Sequence, residues 1–168
     1  MKTKQSSAVV EPINKVLNVV DFTNKALFVG IDVHKKRWQV AVLLDGVILS
    51  NVSIAASADA LVAYLRKHYK DALFNCVYEC GPFGFSLCRH LWSAGIECIV
   101  VNPADIPGTD KEKRSKTDPI DARKLACYHA AGLLQGVHVP SERSQKQRSL
   151  IRFRKKLWGR SCKSKEQA

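Results

Sequence analysis

A chain of 168 residues has room for one domain and a tail, and at 46% hydrophobic residues it can bury a real core. No segment approaches the length of a membrane span, and the short apolar stretch Val16-Leu17-Asn18-Val19-Val20 is too broken for a signal peptide, so a cytoplasmic protein without a membrane partner is expected. With 27 basic and 15 acidic residues the net charge is +12, which points to an anionic partner, nucleic acid first.

In chain order, residues 1–26 read as a polar, flexible extension. Residues 27–33 and 36–44 are strand-like runs of Val, Ile, Leu and Phe, separated by His34-Lys35-Lys36. Asp45-Gly46 is the strongest hairpin signal and leads into a third strand, Val47 to Ile54. Ser57 suits an N-cap ahead of a helix carrying Leu61 and Leu65. Residues 73–80 form a fourth strand, broken by Gly81-Pro82. Phe83 to Ala94 reads as a helix stopped by Gly95, and Ile96 to Val101 as a fifth strand. Trp38, Trp92 and Tyr64 fit core positions. A loop of about fifteen residues follows, longer than most connections. A helix then runs from Asp118 to about Ala131, with Pro119 in its first turn. A turn near Gly136 and Pro140 precedes a basic helical segment from about Ser144.

The early meander argues for antiparallel pairing and the later strand-helix-strand steps for parallel pairing. The fold class expected is α/β: a mixed five-stranded sheet with helices on both faces, in ribonuclease-H-like order, plus a C-terminal basic helix. Residues 27–140 would be the domain and residues 141–168 the basic helical segment. That segment holds ten Lys/Arg against two acids, whereas residues 29–140 hold thirteen against eleven. The six cysteines include no C-x-x-C pair and no zinc-ligand spacing, so they read as reduced thiols, mostly of the core.

Four carboxylates stand out. Asp32 and Glu79 each close an apolar strand, and such strand ends are where ligands bind in sheets of this kind. Asp118 and Asp121 are three apart at a helix start, so they project from one side. Together they could form an oxygen cage for Mg²⁺ or Mn²⁺. The plainer alternative gives Asp118 the N-cap and Asp121 a third-position acid, and pairs Asp32 with Lys35 or Lys36. His34, two residues from Asp32, reads as an incidental turn histidine or a proton shuttle.

The blocks Gly30-Ile31-Asp32-Val33-His34-Lys35, Tyr78-Glu79-Cys80-Gly81-Pro82, Val101-Asn102-Pro103 and Lys116-Thr117-Asp118-Pro119-Ile120-Asp121-Ala122-Arg123-Lys124-Leu125-Ala126 resemble, in this order, the DEDD transposases of the insertion-sequence IS-one-ten family, the bridge-RNA-guided recombinases. The resemblance runs from about Phe28 to Trp158. It implies a RuvC-like domain and a catalytic, Mg²⁺-coordinating tetrad of Asp32, Glu79, Asp118 and Asp121. It also implies DNA and a structured guide RNA as partners, a homo-oligomer, and a coiled coil beginning near Leu150. Family members continue into a domain with a catalytic serine; this sequence ends at Ala168, so a truncated copy is expected and activity of the chain alone stays open. None of Ser141, Ser144, Ser149, Ser161 and Ser164 is assigned the nucleophile's role.

Lys111, Lys113, Arg114 and Lys116 in the long loop, and Arg152, Arg154, Lys155 and Lys156 near the end, are candidate nucleic-acid contacts. Phe153, Leu157 and Trp158 either stack on bases or form an apolar seam. The main expectation is the N-terminal catalytic domain of a DNA transposase. The alternative is a non-catalytic remnant that binds DNA or bridge RNA.

Overall fold

The computed structural model describes residues 21–81, 84–107 and 117–165, with side chains as far as Trp158 apart from Leu157. Residues 1–20 of the expected extension, and Lys111, Lys113, Arg114 and Lys116, lie outside the described residues. The elements are β1 (Ala26–Val33), β2 (Arg37–Leu44), β3 (Val47–Ala55), α1 (Ala58–His68), β4 (Leu73–Glu79), α2 (Ser86–Ser93), β5 (Glu97–Val101), a 3₁₀ turn (Pro103–Asp105), α3 (Asp118–Ala130) and α4 (Glu142–Lys165).

The strands line up in the order β3-β2-β1-β4-β5. β1 pairs antiparallel with β2, and β2 with β3; β1 pairs parallel with β4, and β4 with β5. This is the ribonuclease-H-like arrangement: a meander extended by two parallel strands beside the first. The hairpin forms where Asp45 and Gly46 both take positive φ, 48° and 81°, which matches a primed turn to the twist of its strands.

The two faces of β1 differ. Leu27, Val29 and Ile31 are fully buried with Leu61 and Leu65 of α1 and Leu87, Cys88 and Leu91 of α2. Each such aliphatic side chain contributes about 1.5–3 kcal/mol by leaving water. The opposite face carries α3, whose Ala122 and Ala126 pack with Ala41 and Leu43, and whose Leu125 packs with Val77 and Val101. Helices therefore cover both faces, as the strand and helix order implied.

Local chemistry sets several boundaries. The Ser57 hydroxyl accepts from the Ala60 amide and caps α1. α2 begins at Ser86, later than the Phe83 start read from the pattern, because Gly84 turns at φ 55° ahead of it. The Tyr78 hydroxyl, inside the core, donates to the Gly84 carbonyl at 2.8 Å and accepts from the Cys88 amide at 3.3 Å, tying that turn to β4. Trp92 is not a core residue: it is 46% exposed and its indole N–H donates to the Cys98 carbonyl. Ahead of β1, Phe22 packs edge-on against Tyr69, with ring centroids 5.1 Å apart. α4 joins the body where Arg89 donates to the Pro140 carbonyl, and farther along it exposes Leu150, Ile151, Phe153 and Trp158.

Candidate metal centre

Alternation along β1 puts Gly30 and Asp32 on the α3 side of the sheet. β4 runs parallel in register, Gly30 beside Val77 and Ile31 beside Tyr78, so Glu79 follows next to Asp32 and on the same face. Helix α3 lies unusually close to this face. A Cβ added to Gly30 would come 2.0 Å from the Ala122 carbonyl oxygen and 2.5 Å from the Ala126 amide nitrogen. Only a residue without a side chain permits that approach. It lays the first turn of α3, with Asp118 and Asp121, over the ends of β1 and β4.

All four carboxylates line one open cavity of about 860 Å³, together with His34, Lys35 and Lys36. Asp32 Oδ2 accepts from His34 Nε2 at 2.9 Å, and the same nitrogen lies 3.4 Å from Asp118 Oδ1. Asp32, His34 and Asp118 each offer one ligand atom, and the three atoms lie within 4.8 Å of one another. Burial pushes the Asp32 carboxyl above its ordinary value; the hydrogen bond and charge of His34 pull it back, and the charges of Asp118 and Asp121 push it up again. The hydrogen bond to Asp32 holds the His34 imidazole above its usual value, against partial desolvation.

Asp118 is not the N-cap. Thr117 holds that position, its carbonyl accepting from the Ile120 and Asp121 amides, and Asp118 is the first residue of α3. The hydrogen bond that Asp32 accepts comes from His34 rather than from a lysine at the turn. His34 is the residue that sequence reasoning undervalued. Its i, i+2 spacing from Asp32 on an extended segment was the signal available.

The carboxylates of this cavity suit a hard divalent cation, which takes oxygen ligands. The ligand atoms shown to converge are those of Asp32, His34 and Asp118, and Glu79 and Asp121 line the same cavity, so an ion held there could draw on any of these acids. Arg152, Arg154, Lys155 and Lys156 lie elsewhere, exposed on α4. Among the described residues no helix is long and apolar enough to cross a membrane.

A family model described as a transposase, of the DEDD IS110 type, matches residues 29–168. Putative transposase y4qE of Sinorhizobium fredii (strain NBRC 101917 / NGR234) is 40% identical over 132 residues, covering 76% of this chain and 33% of that protein. The transposase for insertion sequence element IS1533 of Leptospira borgpetersenii is 35% identical over 105 residues, covering 61% of this chain and 30% of its own length. The chain thus spans about a third of the length of the curated relatives it matches. Among solved structures, T. thermophilus RuvC in complex with a Holliday junction substrate is similar at 13% identity and a TM-score of 0.45, covering 66% of this chain and 99% of that one. Ethanolamine utilization protein EutJ from Carboxydothermus hydrogenoformans follows at 18% identity and a TM-score of 0.33, covering 44% and 35%. At these scores neither likeness bears on chemistry.

Proposed function

The chain belongs to the DEDD transposases of the IS110 type, and on that footing we propose that its sheet-and-helix body is the metal-dependent phosphoryl-transfer half of a DNA recombination site. The observation that supports this best is the convergence of Asp32, Glu79, Asp118 and Asp121 on one cavity, from two strand ends and one helix turn. Four carboxylates so disposed repel one another and favour a cation among them. Mg²⁺ or Mn²⁺, when bound, would offset charge on a phosphate and polarise it.

The chain's own residues would do the rest. The α3 carboxylates are held against β1 by the Gly30 contact, which fixes where an ion and a phosphate can meet. Lys35 and Lys36, at the rim of the same cavity, would attract the DNA backbone as it enters. The basic residues Arg152, Arg154, Lys155 and Lys156 of α4, and Lys111, Lys113, Arg114 and Lys116 outside the described residues, would add further contacts to DNA and to a structured guide RNA. The exposed apolar residues of α4 would seat a second copy of the protein. Strand transfer as a whole would call on a full-length relative, of which this chain matches about a third, and on the serine nucleophile that the family resemblance implies.

The experiment is DNA binding by the chain, followed by fluorescence anisotropy with and without Ca²⁺ as a non-cleaving stand-in. Metal should tighten wild-type binding by about tenfold and leave Asp32→Asn and Glu79→Gln unchanged. In the longer protein, Asp32→Ala or Glu79→Ala should abolish Mg²⁺-dependent recombination, and retained recombination would count against the assignment.

A second reading, a nucleic-acid-binding module without catalysis, is favoured by the concentration of basic residues in 141–168. It predicts binding indifferent to metal and to Asp32→Asn, but lost when Arg152 and Arg154 are both replaced by alanine.

A further inference from the structure

Resting on the metal-centre reading, we propose that His34 supplies a nitrogen ligand to the ion, making the centre a mixed oxygen and nitrogen site that prefers Mn²⁺ to Mg²⁺. His34 Nε2 touches two acids brought from distant parts of the chain, Asp32 of β1 at 2.9 Å and Asp118 of α3 at 3.4 Å. Neighbouring corners of an octahedron with ligands about 2.1 Å from its centre are roughly 3.0 Å apart. The two observed spacings sit close to that edge length, and all three ligand atoms fall within one ion's reach. A plain turn histidine bound to a neighbouring acid would need only the first of these contacts.

Accessibility fits as well. The His34 side chain is 52% exposed and the Asp32 side chain 20%, so an ion can reach both from solvent without unpacking the core. Both ions prefer oxygen ligands, but Mg²⁺ sheds water reluctantly and gains little from nitrogen, whereas Mn²⁺, the lowest member of the transition series, still gains modestly from an imidazole. One nitrogen among carboxylates therefore gains more for Mn²⁺ than for Mg²⁺.

The test uses the 168-residue chain and the ions themselves. Electron spin echo spectroscopy of bound Mn²⁺ should show nitrogen modulation from an imidazole, and His34→Gln should remove it while the circular dichroism spectrum stays unchanged. Calorimetric titration should show His34→Gln weakening Mn²⁺ by about tenfold or more, and Mg²⁺ by clearly less. Bound Mn²⁺ without nitrogen modulation, or equal losses for both ions, would overturn the ligand role and leave the carboxylate centre standing. A wild-type chain that binds no Mn²⁺ saturably would overturn both.

Discussion

Replacing Gly30 by alanine should damage the metal centre by pushing α3 off the sheet face on which it rests. The new methyl carbon would sit 2.0 Å from the Ala122 carbonyl oxygen and 2.5 Å from the Ala126 nitrogen, both backbone atoms that no rotamer can move aside. Carbon and carbonyl oxygen settle no closer than about 3.3 Å, so α3 must retreat by roughly 1.3 Å. Overpacking of this kind costs about 1–3 kcal/mol. In a chain of this size that lowers Tm by roughly 3–10 °C. The retreat also carries Asp118 and Asp121 away from Asp32 and Glu79. Because hard cations bind at about 2.1–2.5 Å, metal affinity should fall about tenfold or more. Gly46→Ala is the control: its φ of 81° makes alanine strained, but nothing lies within 4 Å of the added carbon. That variant should lose about 1–2 kcal/mol of stability and keep its metal affinity. Melting curves and calorimetric metal titrations on the two variants decide the matter. A Gly30→Ala chain with wild-type Tm and wild-type affinity would refute the reasoning, and so would equal loss of affinity in the control.

Three further outcomes are expected. Without metal, Asp32→Asn should melt no lower than wild type, because burial already makes the charged carboxylate costly and the amide keeps its shape; a clear drop in Tm would show the charge to be structurally required. Alanine at both Arg152 and Arg154 should make the slope of log affinity for DNA against log salt shallower by up to about 2, and an unchanged slope would remove α4 from the phosphate contacts. Burial raises the Tyr69 phenol to about 12, so the stability it contributes is complete below about pH 10 and is lost as pH rises toward 12. Denaturation at stepped alkaline pH should therefore show wild type losing more stability than Tyr69→Phe, and parallel curves would contradict it.

The strands were legible because their apolar runs are bounded by signals with a fixed backbone meaning, Asp45-Gly46 above all. The start of α1 was legible from one serine. The docking of α3 was not. Its closest approach to the sheet is made by the Ala122 and Ala126 backbone over Gly30, and small residues leave little apolar stripe to read beside Leu125. What fixes the site is the absence of a side chain, visible only once the elements are packed. Trp92 misled for the opposite reason, since a large ring at a helical position reads as core even where it is 46% exposed and only its N–H reaches in to the carbonyl of buried Cys98. Of the candidate site, the placement of four acids at two strand ends and a helix start was legible, and they line one cavity. The contact of His34 with Asp118 was not, because that partner comes from another element.

The central claim is that Asp32, Glu79, Asp118 and Asp121 hold one divalent-cation centre. Calorimetric titration of Mn²⁺ into the wild-type chain and into Asp32→Asn tests it most directly. The account predicts saturable binding to wild type that vanishes in Asp32→Asn while the melting curve of the unliganded chain is kept. Binding that survives Asp32→Asn undiminished would contradict it.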